Sequence, residues 1–292
     1  MDRAIENAPA LLERLTDSAL HTIAAGGTAS PRVLRLLLRG YAATGRADVG
    51  DALGVALAAA LARQSDDAVE RAILFVEAAG LSDDERMSAA AAQAVEDLRR
   101  LWAADAATAP VMRAIDVVIQ SIERGLSSAD DLLAPAVDHL EHVIGHVYRP
   151  GAGVIRRDAD GVERAAFVDQ IATALALTTA YRMTARLPYA MLAEELLQFA
   201  RRTWWDAGRE RFAGGESDSF VANCDAVRLL ATLGDLHEDQ EYRHAAVFAP
   251  DADYLADARQ LLAALEHAVP PSDDERAAYG IALHDWLVRG AR

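Results

Sequence analysis

Phe167-Val168-Asp169-Gln170 opens the stretch of sequence that decides the fold, and Trp204-Trp205-Asp206 lies near its middle. Between these two motifs, Ala and Leu recur at helical spacing on both sides of Pro188, which predicts two helices joined by a short turn. A loop through Gly214-Gly215 follows, and Ala222-Asn223-Cys224-Asp225 opens a third helix. Polar and aromatic residues gather where the long loops meet the helix starts. The stretch therefore predicts two helical hairpins with a polar mouth at their loops.

Helical periodicity continues along the rest of the chain and predicts twelve helices in total. Ser30-Pro31 is an N-cap followed by proline at the first helical position, and Gly45 ends the same helix. Ser82-Asp83-Asp84-Glu85 and Ser272-Asp273-Asp274-Glu275 both have the spacing of a capping box, in which serine and glutamate each satisfy a free backbone amide. A short strand is predicted only near Val154–Ile155.

The predicted helices pair as hairpins with a period of roughly 35 to 50 residues, which is the spacing of a helical repeat array. Links within a pair are short, as in 184–188, whereas links between pairs are long, as in 149–166 and 206–220. This alternation favours a closed toroid over the alternative, an open solenoid. We expect an all-α fold, namely one (α/α)6 toroid domain over residues 1–292, built from about twelve helices in six hairpins.

The chain contains no lysine, so all 29 basic residues are arginine. Chemistry that needs an amine side chain is excluded, such as a Schiff-base nucleophile, a lysine-anchored pyridoxal cofactor or a P-loop. Two origins of this composition stay open, a genome of high GC content and a salt-adapted cytoplasm. The formal net charge of −16 argues against nucleic acid and anionic membranes as partners, because both are bound through clustered positive charge.

No apolar run approaches the roughly 20 residues that a bilayer-spanning helix needs. The N-terminal residues also lack the basic-then-apolar order of a secretory signal, because Asp2, Glu6 and Glu13 interrupt it. We therefore expect a cytoplasmic protein.

No cofactor or metal is expected from the motifs. Cys224 is the only cysteine, which excludes an internal disulfide and a multi-cysteine metal site. A helix N-terminus could lower its thiol pKa, but a small buried residue is the favoured interpretation. His139, His142 and His146 share one helix face, yet the outer two are roughly 10 Å apart on a straight helix, so one ion cannot bind all three.

Two motifs resemble the six-hairpin (α/α)6 toroid superfamily. One is Phe167–Gln170, followed by a helix, a proline turn, Trp204-Trp205-Asp206 and Arg211-Phe212. The other is Ala222–Leu230, which leads to Gly234-Asp235. Within the superfamily, the sequence looks most like the toroid part of thioredoxin-domain-containing proteins of the spermatogenesis-associated type.

Sugar 2-epimerases, cellobiose epimerases and unsaturated-glucuronyl hydrolases share this architecture, so the resemblance implies a carbohydrate-active toroid. The likeness is specific over about residues 150–268 and generic before them. The thioredoxin module with its paired cysteines is missing here, so a redox role is not implied. The histidine pair of the epimerases has no clear counterpart, which weakens the epimerase interpretation.

Asp169 and Asp225 are the candidate catalytic residues. Each lies near the start of an inner helix, where the helix dipole and the free amides stabilise an anion. Across the mouth of a toroid, two such carboxylates could serve as acid and base in glycosidic bond cleavage, at a separation of about 5–10 Å. The alternative for each is a plain capping role.

The candidate substrate-binding residues surround these carboxylates. Gln170 and Asn223 carry side-chain amides of the kind that hold sugar hydroxyls. Aromatic rings around the intervening loop could stack on a pyranose face or seal the barrel wall. The full candidate set is Gln170, Asn223, Trp204, Trp205, Phe212 and Tyr148. Glu216 and Asp218 could belong to a mobile lid, although solvated loop charges are the simpler interpretation.

We expect a carbohydrate-active toroid enzyme, of the glycoside hydrolase or sugar epimerase type, that acts on a small-molecule ligand such as a sugar. The alternative is a non-catalytic toroid that binds a ligand or a protein partner, derived from thioredoxin-domain-containing proteins. An enzyme would bring Asp169, Asn223 and Asp225 to one pocket with the tryptophans. A binding scaffold would use them as helix caps in its wall.

Overall fold

Six helices form a closed ring in the computed structural model, in which each helix contacts the next and the last contacts the first. In chain order they are α2 (Pro31–Thr44), α4 (Ala68–Ala79), α6 (Ala109–Glu123), α8 (Phe167–Thr184), α10 (Phe220–Glu238) and α13 (Asp273–Gly290). The contact between α2 and α13 closes this inner ring. In this cyclic order the first and last inner helices are in contact, whereas an open solenoid would leave its first and last repeats apart.

A second layer of helices surrounds the inner ring, and each outer helix contacts at least one inner helix. The outer helices are α1 (Ala8–Ala24), α3 (Ala47–Leu61), α5 (Glu85–Arg99), α7 (Ala129–Val147), α9 (Leu187–Trp204) and α12 (Tyr254–Glu266). A short helix, α11 (Gln240–Ala245), and a 3-10 turn at Arg100–Ala103 complete the helical elements of the described chain. The all-α prediction is confirmed. The described residues form thirteen α-helices instead of the predicted twelve, because α11 adds a short helix after α10.

The structure describes residues 7–26, 29–63, 67–103, 108–126, 129–158, 161–213, 219–245, 248–249, 251–268 and 272–290. A continuous apolar cluster runs through both helical layers of this part of the chain, and Phe75, Ile115, Phe167 and Leu229 are fully buried in it. None of the described helices is long and apolar enough to cross a bilayer.

The N-termini of the inner helices meet at one end of the ring. Arg32, in the first turn of α2, forms ion pairs with Glu70 in the first turn of α4 and Asp274 in the first turn of α13. Asp169, in the first turn of α8, accepts a hydrogen bond from the Ala109 amide at the start of α6. These contacts define the N-terminal end of the ring, and the last turns of the same helices define its C-terminal end.

Several predicted helix termini are observed. The Ser30 hydroxyl accepts a hydrogen bond from the Val33 amide at 3.2 Å, and Gly45 ends α2 in the left-handed conformation with φ of 64°. The Ser272 hydroxyl accepts from the Glu275 amide at 3.3 Å, as a capping serine does at the start of α13. Local side-chain chemistry therefore sets both ends of α2 and the start of α13.

The predicted capping box at Ser82 is wrong. Helix α5 begins at Glu85, and Asp84 is its N-cap, whose carboxylate accepts from the Arg86 amide at 2.9 Å. The Ser82 hydroxyl instead accepts from the Asp84 amide in the preceding turn. Asp84 lies next to the helix start and carries a full negative charge, which the positive end of the helix dipole favours.

Two small antiparallel sheets occupy the long loops at the N-terminal end of the ring. Strands β1 (Tyr148–Arg149), β2 (Gly153–Asp158) and β3 (Gly161–Arg164) lie between α7 and α8, and β4 (Trp205–Asp206) pairs with β5 (Arg211–Phe212) between α9 and α10. Val154 pairs opposite Tyr148, and Phe212 pairs opposite Trp205. The sequence predicts only the piece near Val154–Ile155, because strands of two to four residues show no clear alternation.

Candidate functional site

Charged side chains from five of the inner helices meet inside the ring and form a closed cycle of ion pairs. Each carboxylate of this ion-pair cycle contacts at least two arginines, and each arginine contacts two carboxylates. In order, the members are Glu70, Arg35, Glu77, Arg39, Asp285, Arg228, Asp225 and Arg113, which returns to Glu70. Arg32 and Asp274 extend the cycle at the N-terminal end.

Arg35 shows why arginine suits this position. The residue is 2% exposed, and its guanidinium lies 2.8 Å from Glu70 and 3.1 Å from Glu77. A second nitrogen, Nε, donates to the other oxygen of Glu77 at 3.2 Å. The planar fork of a guanidinium can bind two carboxylates at once, which the single ammonium of lysine does less well. An interior that uses arginine to bind two carboxylates at once is compatible with the absence of lysine from the chain.

The ion-pair cycle holds its carboxylates in the charged form. Burial would raise the pKa of Glu77, but the paired arginines outweigh burial and lower it to about 2. Burial also opposes ionisation of Asp225, yet Arg113 and Arg228 lower the pKa of that carboxyl below its ordinary value. A general acid must carry a proton at the working pH. Asp225 is therefore poorly suited to the acid role in glycosidic bond cleavage.

The spacing of charged residues in the sequence gives a signal for the ion-pair cycle, although the cycle corresponds to no known motif. Arg32, Arg35 and Arg39 are spaced by three and four residues, which places them on one face of α2. Glu70 and Glu77 are seven residues apart, which places them on one face of α4. Such a charged stripe usually faces solvent, and the closure of the inner ring is what turns these two stripes inward.

Asp169 joins the starts of two inner helices. Its side chain is 1% exposed, and its carboxylate accepts hydrogen bonds from the amide of Ala109 at 2.8 Å, the amide of Ala166 at 3.1 Å and the guanidinium of Arg156 at 2.8 Å. These contacts are those of the capping role. Asp169 and Asp225 share no hydrogen-bond partner among the described residues.

Gln170 and Asn223 each hold a loop strand in place, in successive hairpins, by bonding both backbone groups of one strand residue. The Gln170 amide accepts from the Val154 N–H at 2.9 Å and donates to its carbonyl at 2.8 Å, and the Asn223 amide does the same to Phe212 at 3.0 Å for both bonds. Gly153 has φ of +70°, and a Cβ there would lie 2.5 Å from the Gln170 oxygen, so this approach needs glycine. Gln170 and Asn223 are 0% and 1% exposed, and both anchor loop strands.

Replacing Asn223 with alanine is expected to lower the free energy of unfolding by about 2 kcal/mol, because the buried backbone groups of Phe212 lose their partner. Gln170→Ala should cause a loss of similar size. Urea unfolding at pH 7 measures both. Gln93→Ala is the matched control, since Gln93 is exposed and its amide donates to the Asp97 side chain. An equal loss in the control would count against the anchoring role.

The candidate aromatic residues pack against one another at the N-terminal end of the ring. Phe212 is 1% exposed, and its ring centroid lies 4.6 Å from that of Phe167 and 5.1 Å from that of Trp205. The Trp204 ring lies 5.9 Å from Phe167. This mutual packing fits the alternative in which the aromatic rings seal the wall of the barrel, instead of stacking on a sugar.

The other loop candidates are Tyr148, Glu216 and Asp218. The Tyr148 hydroxyl donates to Glu195 at 2.5 Å, and burial, followed by this hydrogen bond, raises the pKa of Tyr148. Tyr148 thus links β1 to α9. Glu216 and Asp218 lie outside the described residues.

The histidine row and Cys224 lie in different environments. His142 and His146 are exposed, while His139 stacks on Trp102 with ring centroids 5.4 Å apart. No group of three or more His, Cys, Asp or Glu side chains in the described chain is placed to hold a metal ion. Burial raises the pKa of the Cys224 thiol well above its ordinary value, which is the opposite of thiol activation.

A cavity of about 140 Å³ lies inside the inner ring toward its C-terminal end. All six inner helices contribute a polar side chain from their C-terminal halves, namely Arg39, Glu77, Gln120, Thr179, Thr232 and Arg289. We call this space the axial cavity. Because Arg39, Glu77, Arg228 and Asp285 also belong to the ion-pair cycle, the cycle forms one wall of the cavity.

The lining of the axial cavity is highly charged and incompletely satisfied. Two buried atoms there, Arg39 Nε and Asp116 Oδ1, have no hydrogen-bond partner within the described residues. Buried polar atoms without partners mark places where water or a ligand completes the hydrogen bonding. The charged lining comprises five arginines, Arg39, Arg124, Arg182, Arg228 and Arg289, and four carboxylates, Glu77, Asp116, Glu123 and Asp285.

Two further cavities formed by described residues lie off the ring axis. One of about 580 Å³ lies between α1, α2 and α13 and is lined mainly by apolar side chains. The other, of about 390 Å³, borders His237 and Tyr254, which both contact the buried Glu194 carboxylate, at 2.9 and 2.7 Å. Residues of three helices line each of these two cavities, whereas residues of all six inner helices line the axial cavity. The apolar cavity is larger than the axial cavity, but polar groups are what fix the orientation of a ligand, and they converge from all six inner helices on the axial cavity, which is therefore the candidate site.

The fold and this cavity define an all-α protein with a closed inner ring and a polar interior. No family model matches the chain, and no curated protein matches it. Among solved structures, the Lin0763 protein from Listeria innocua is similar, with a TM-score of 0.66 over 89% of this chain and 84% of that chain, at 15% sequence identity. At this identity the likeness shows a shared fold alone.

Proposed function

We propose that this protein is an (α/α)6 toroid that binds a small polyhydroxylated ligand in its axial cavity and releases it unchanged. The observation that carries the proposal is the convergence of polar side chains from all six inner helices on one cavity. Such groups fix the orientation of a ligand. The resemblance of the sequence to carbohydrate-active toroids supports a sugar-like ligand, and the protein is proposed to act in the cytoplasm.

Hydroxyl and amide side chains suit the axial cavity to a polyol. The Thr178 and Thr232 hydroxyls donate to the backbone carbonyls of Leu175 and Arg228, and their oxygens can still accept from a ligand hydroxyl. Gln120 adds an amide with both donor and acceptor groups. The volume of about 140 Å³ corresponds to roughly five water molecules. A polyol of three or four carbons fits this space, and a monosaccharide would enter by one end.

The charged state of Glu77 and Asp285, two of the four lining carboxylates, favours binding over catalysis. Glycosidic bond cleavage needs one carboxyl group that holds a proton near neutral pH and a second that is ionised. Although burial opposes ionisation, the neighbouring arginines lower the pKa of both Glu77 and Asp285. Both groups stay charged, so neither supplies the acid.

Sugar chemistry at the N-terminal end of the ring is the second candidate function, and the position of Asp225 favours it. Asp225 lies in the second turn of α10, its side chain is 14% exposed, and it is ionised, as a general base must be. Asp169 would have to leave its three partners to act as the acid. If the protein is such an enzyme, with Asp169 and Asp225 as catalytic residues, it turns over a sugar, and Asp225→Asn abolishes that turnover.

Thermal unfolding across a panel of polyols, aldoses and uronates tests the proposed function. A ligand that binds only the folded state stabilises it by about 2.7 kcal/mol at a hundredfold excess over Kd. We expect at least one polyol or sugar to raise the Tm. The same ligand should be recovered unchanged after prolonged incubation with the protein.

Gln120→Trp fills the axial cavity and is expected to remove the Tm shift. Gln93→Trp makes the same exchange at an exposed position on α5 and should keep the shift. The proposed site is refuted when no panel member raises the Tm, or when both variants keep the shift. Formation of a product would instead support the second candidate function.

A further inference from the structure

Arg289 is one of two guanidiniums at the axial cavity, with Arg124, that form no ion pair within the described residues. Arg289, in the last turn of α13, forms no ion pair within the described residues, and its hydrogen bond there goes to the backbone carbonyl of Asp285 at 3.3 Å. Burial lowers the pKa of Arg289, and the positive charges of Arg182 and Arg228 lower it further, against the attraction of Asp285 and Asp235. An anion bound beside Arg289 would relieve this repulsion.

The neighbouring carboxylates do not supply that anion. Asp285 already contacts Arg39 and Arg228 in the ion-pair cycle. Glu123 contacts Arg182 at 2.9 Å. The described lining of the cavity holds one more arginine than carboxylates. Asp285 and Asp235 attract Arg289 without forming an ion pair with it, so Arg289 is a half-buried cation at the cavity that no described carboxylate contacts directly.

Asp116 provides the complementary half of a binding site. Its Oδ1 atom is buried and has no hydrogen-bond partner within the described chain, and a carboxylate oxygen accepts from a hydroxyl group. Asp116 and Arg289 line the same cavity of about 140 Å³, so one small molecule can reach both. A neutral polyol would satisfy only Asp116, and a simple inorganic anion would satisfy only Arg289.

The helix dipoles at this end of the ring oppose an anion but do not prevent its binding. The C-termini of the inner helices carry negative partial charge, whose effect fades within the last turn and is weakened by solvent. A guanidinium forms charge-assisted and often bidentate hydrogen bonds to carboxylate and phosphate oxygens, which are the stronger interaction. Arg289 therefore determines the preferred charge of the ligand.

We infer that the ligand of the axial cavity is a small hydroxy acid, whose carboxylate or phosphate oxygens bind Arg289 and whose hydroxyl group donates to Asp116. The inference rests on the proposed function, because it names the ligand class of the same cavity. Carboxylate and phosphate present the same anionic oxygens to the guanidinium, and the experiment distinguishes them.

Titration calorimetry at pH 7 with glycerol, glycerate and glycerol 3-phosphate tests this inference. The three probes share a three-carbon frame and differ in the acidic group. We expect at least one of the two acids to bind about tenfold more tightly than glycerol. Arg289→Gln should weaken binding of that acid about tenfold and leave glycerol within about twofold. Arg289→Lys should restore part of the loss, and added salt should weaken only the acid.

Arg14→Gln, at an exposed position on α1, is the matched control and should leave all three affinities unchanged. The preferred acid identifies the oxyanion as carboxylate or phosphate. If glycerol or a panel sugar binds but the acids bind no tighter, or if Arg289→Gln leaves the acids unaffected, the inference is overturned and the proposed function stands. If neither polyols nor acids bind, both are overturned.

Discussion

Replacing Arg35 with methionine is expected to lower the free energy of unfolding by about 3 to 5 kcal/mol. Arg35 is 2% exposed and contacts both Glu70 and Glu77. Methionine fills a similar space but offers no hydrogen-bond donor, so two buried carboxylates lose a partner while they stay desolvated. Urea denaturation at pH 7, with the slope of the transition compared between variants, measures the loss.

Arg99→Met is the control for this effect. Arg99 contacts Glu96 at 2.8 Å, but the two side chains are 39% and 56% exposed. An exposed ion pair contributes about 1 kcal/mol or less, because water solvates the remaining charge. Equal losses in the two variants would show that the buried ion-pair cycle stabilises the fold no more than an exposed ion pair does.

Acidification is expected to produce the second large effect. Burial is outweighed by the paired arginines at Glu77, so its pKa is about 2 in the folded protein, against an ordinary value of 4.5. Because the folded-state pKa is the lower one, ionised Glu77 stabilises the fold above pH 4.5, and this stabilisation is lost as the pH falls from there toward 2. The difference corresponds to about 3 kcal/mol at neutral pH.

Urea midpoints across the same pH window test this expectation in wild type and in Glu77→Gln. The variant starts from a lower stability, and it should lose less of it on acidification because glutamine does not titrate. Glu96→Gln, at an exposed site, should follow the wild-type profile. Parallel profiles for wild type and Glu77→Gln would rule out Glu77 as a source of the acid sensitivity.

Helix content and several helix ends can be predicted from the sequence, because they depend on local chemistry. Ser30 and Gly45 set the two ends of α2, the first by accepting the Val33 amide and the second by its left-handed backbone. The two-residue strands β4 and β5 cannot be predicted in this way, because a periodic pattern needs more residues than they have.

The ion-pair cycle cannot be derived from the sequence alone, because its members come from distant helices. Arg39 and Asp285 are 246 positions apart, and they meet only because α2 and α13 close the ring. Arg39 follows Leu36-Leu37-Leu38, a pattern that is also typical of an amphipathic helix with its arginine in solvent. The spacing of Arg32, Arg35 and Arg39 shows that they share one face of the helix, but it does not show whether that face points into the ring or into solvent.

Asp169 illustrates the same limit for site residues. A carboxylate in the first turn of a helix suits a capping role and an active site equally well. The contact that distinguishes them comes from Ala109, 60 positions away. The axial cavity cannot be predicted from the sequence for a related reason, since Gln120, Thr179 and Thr232 belong to no motif and converge only in the folded ring.

The ligand is proposed to bind in the axial cavity and not at the N-terminal end of the ring beside Asp169. Titration calorimetry of the best panel ligand against wild type, Gln120→Trp and Asp169→Asn tests this placement most directly, at a temperature where all three proteins are folded. We predict that Gln120→Trp abolishes binding, whereas Asp169→Asn keeps a Kd within about twofold of wild type. Binding that survives in Gln120→Trp and is lost in Asp169→Asn would contradict the axial site and place the ligand at the opposite end of the ring.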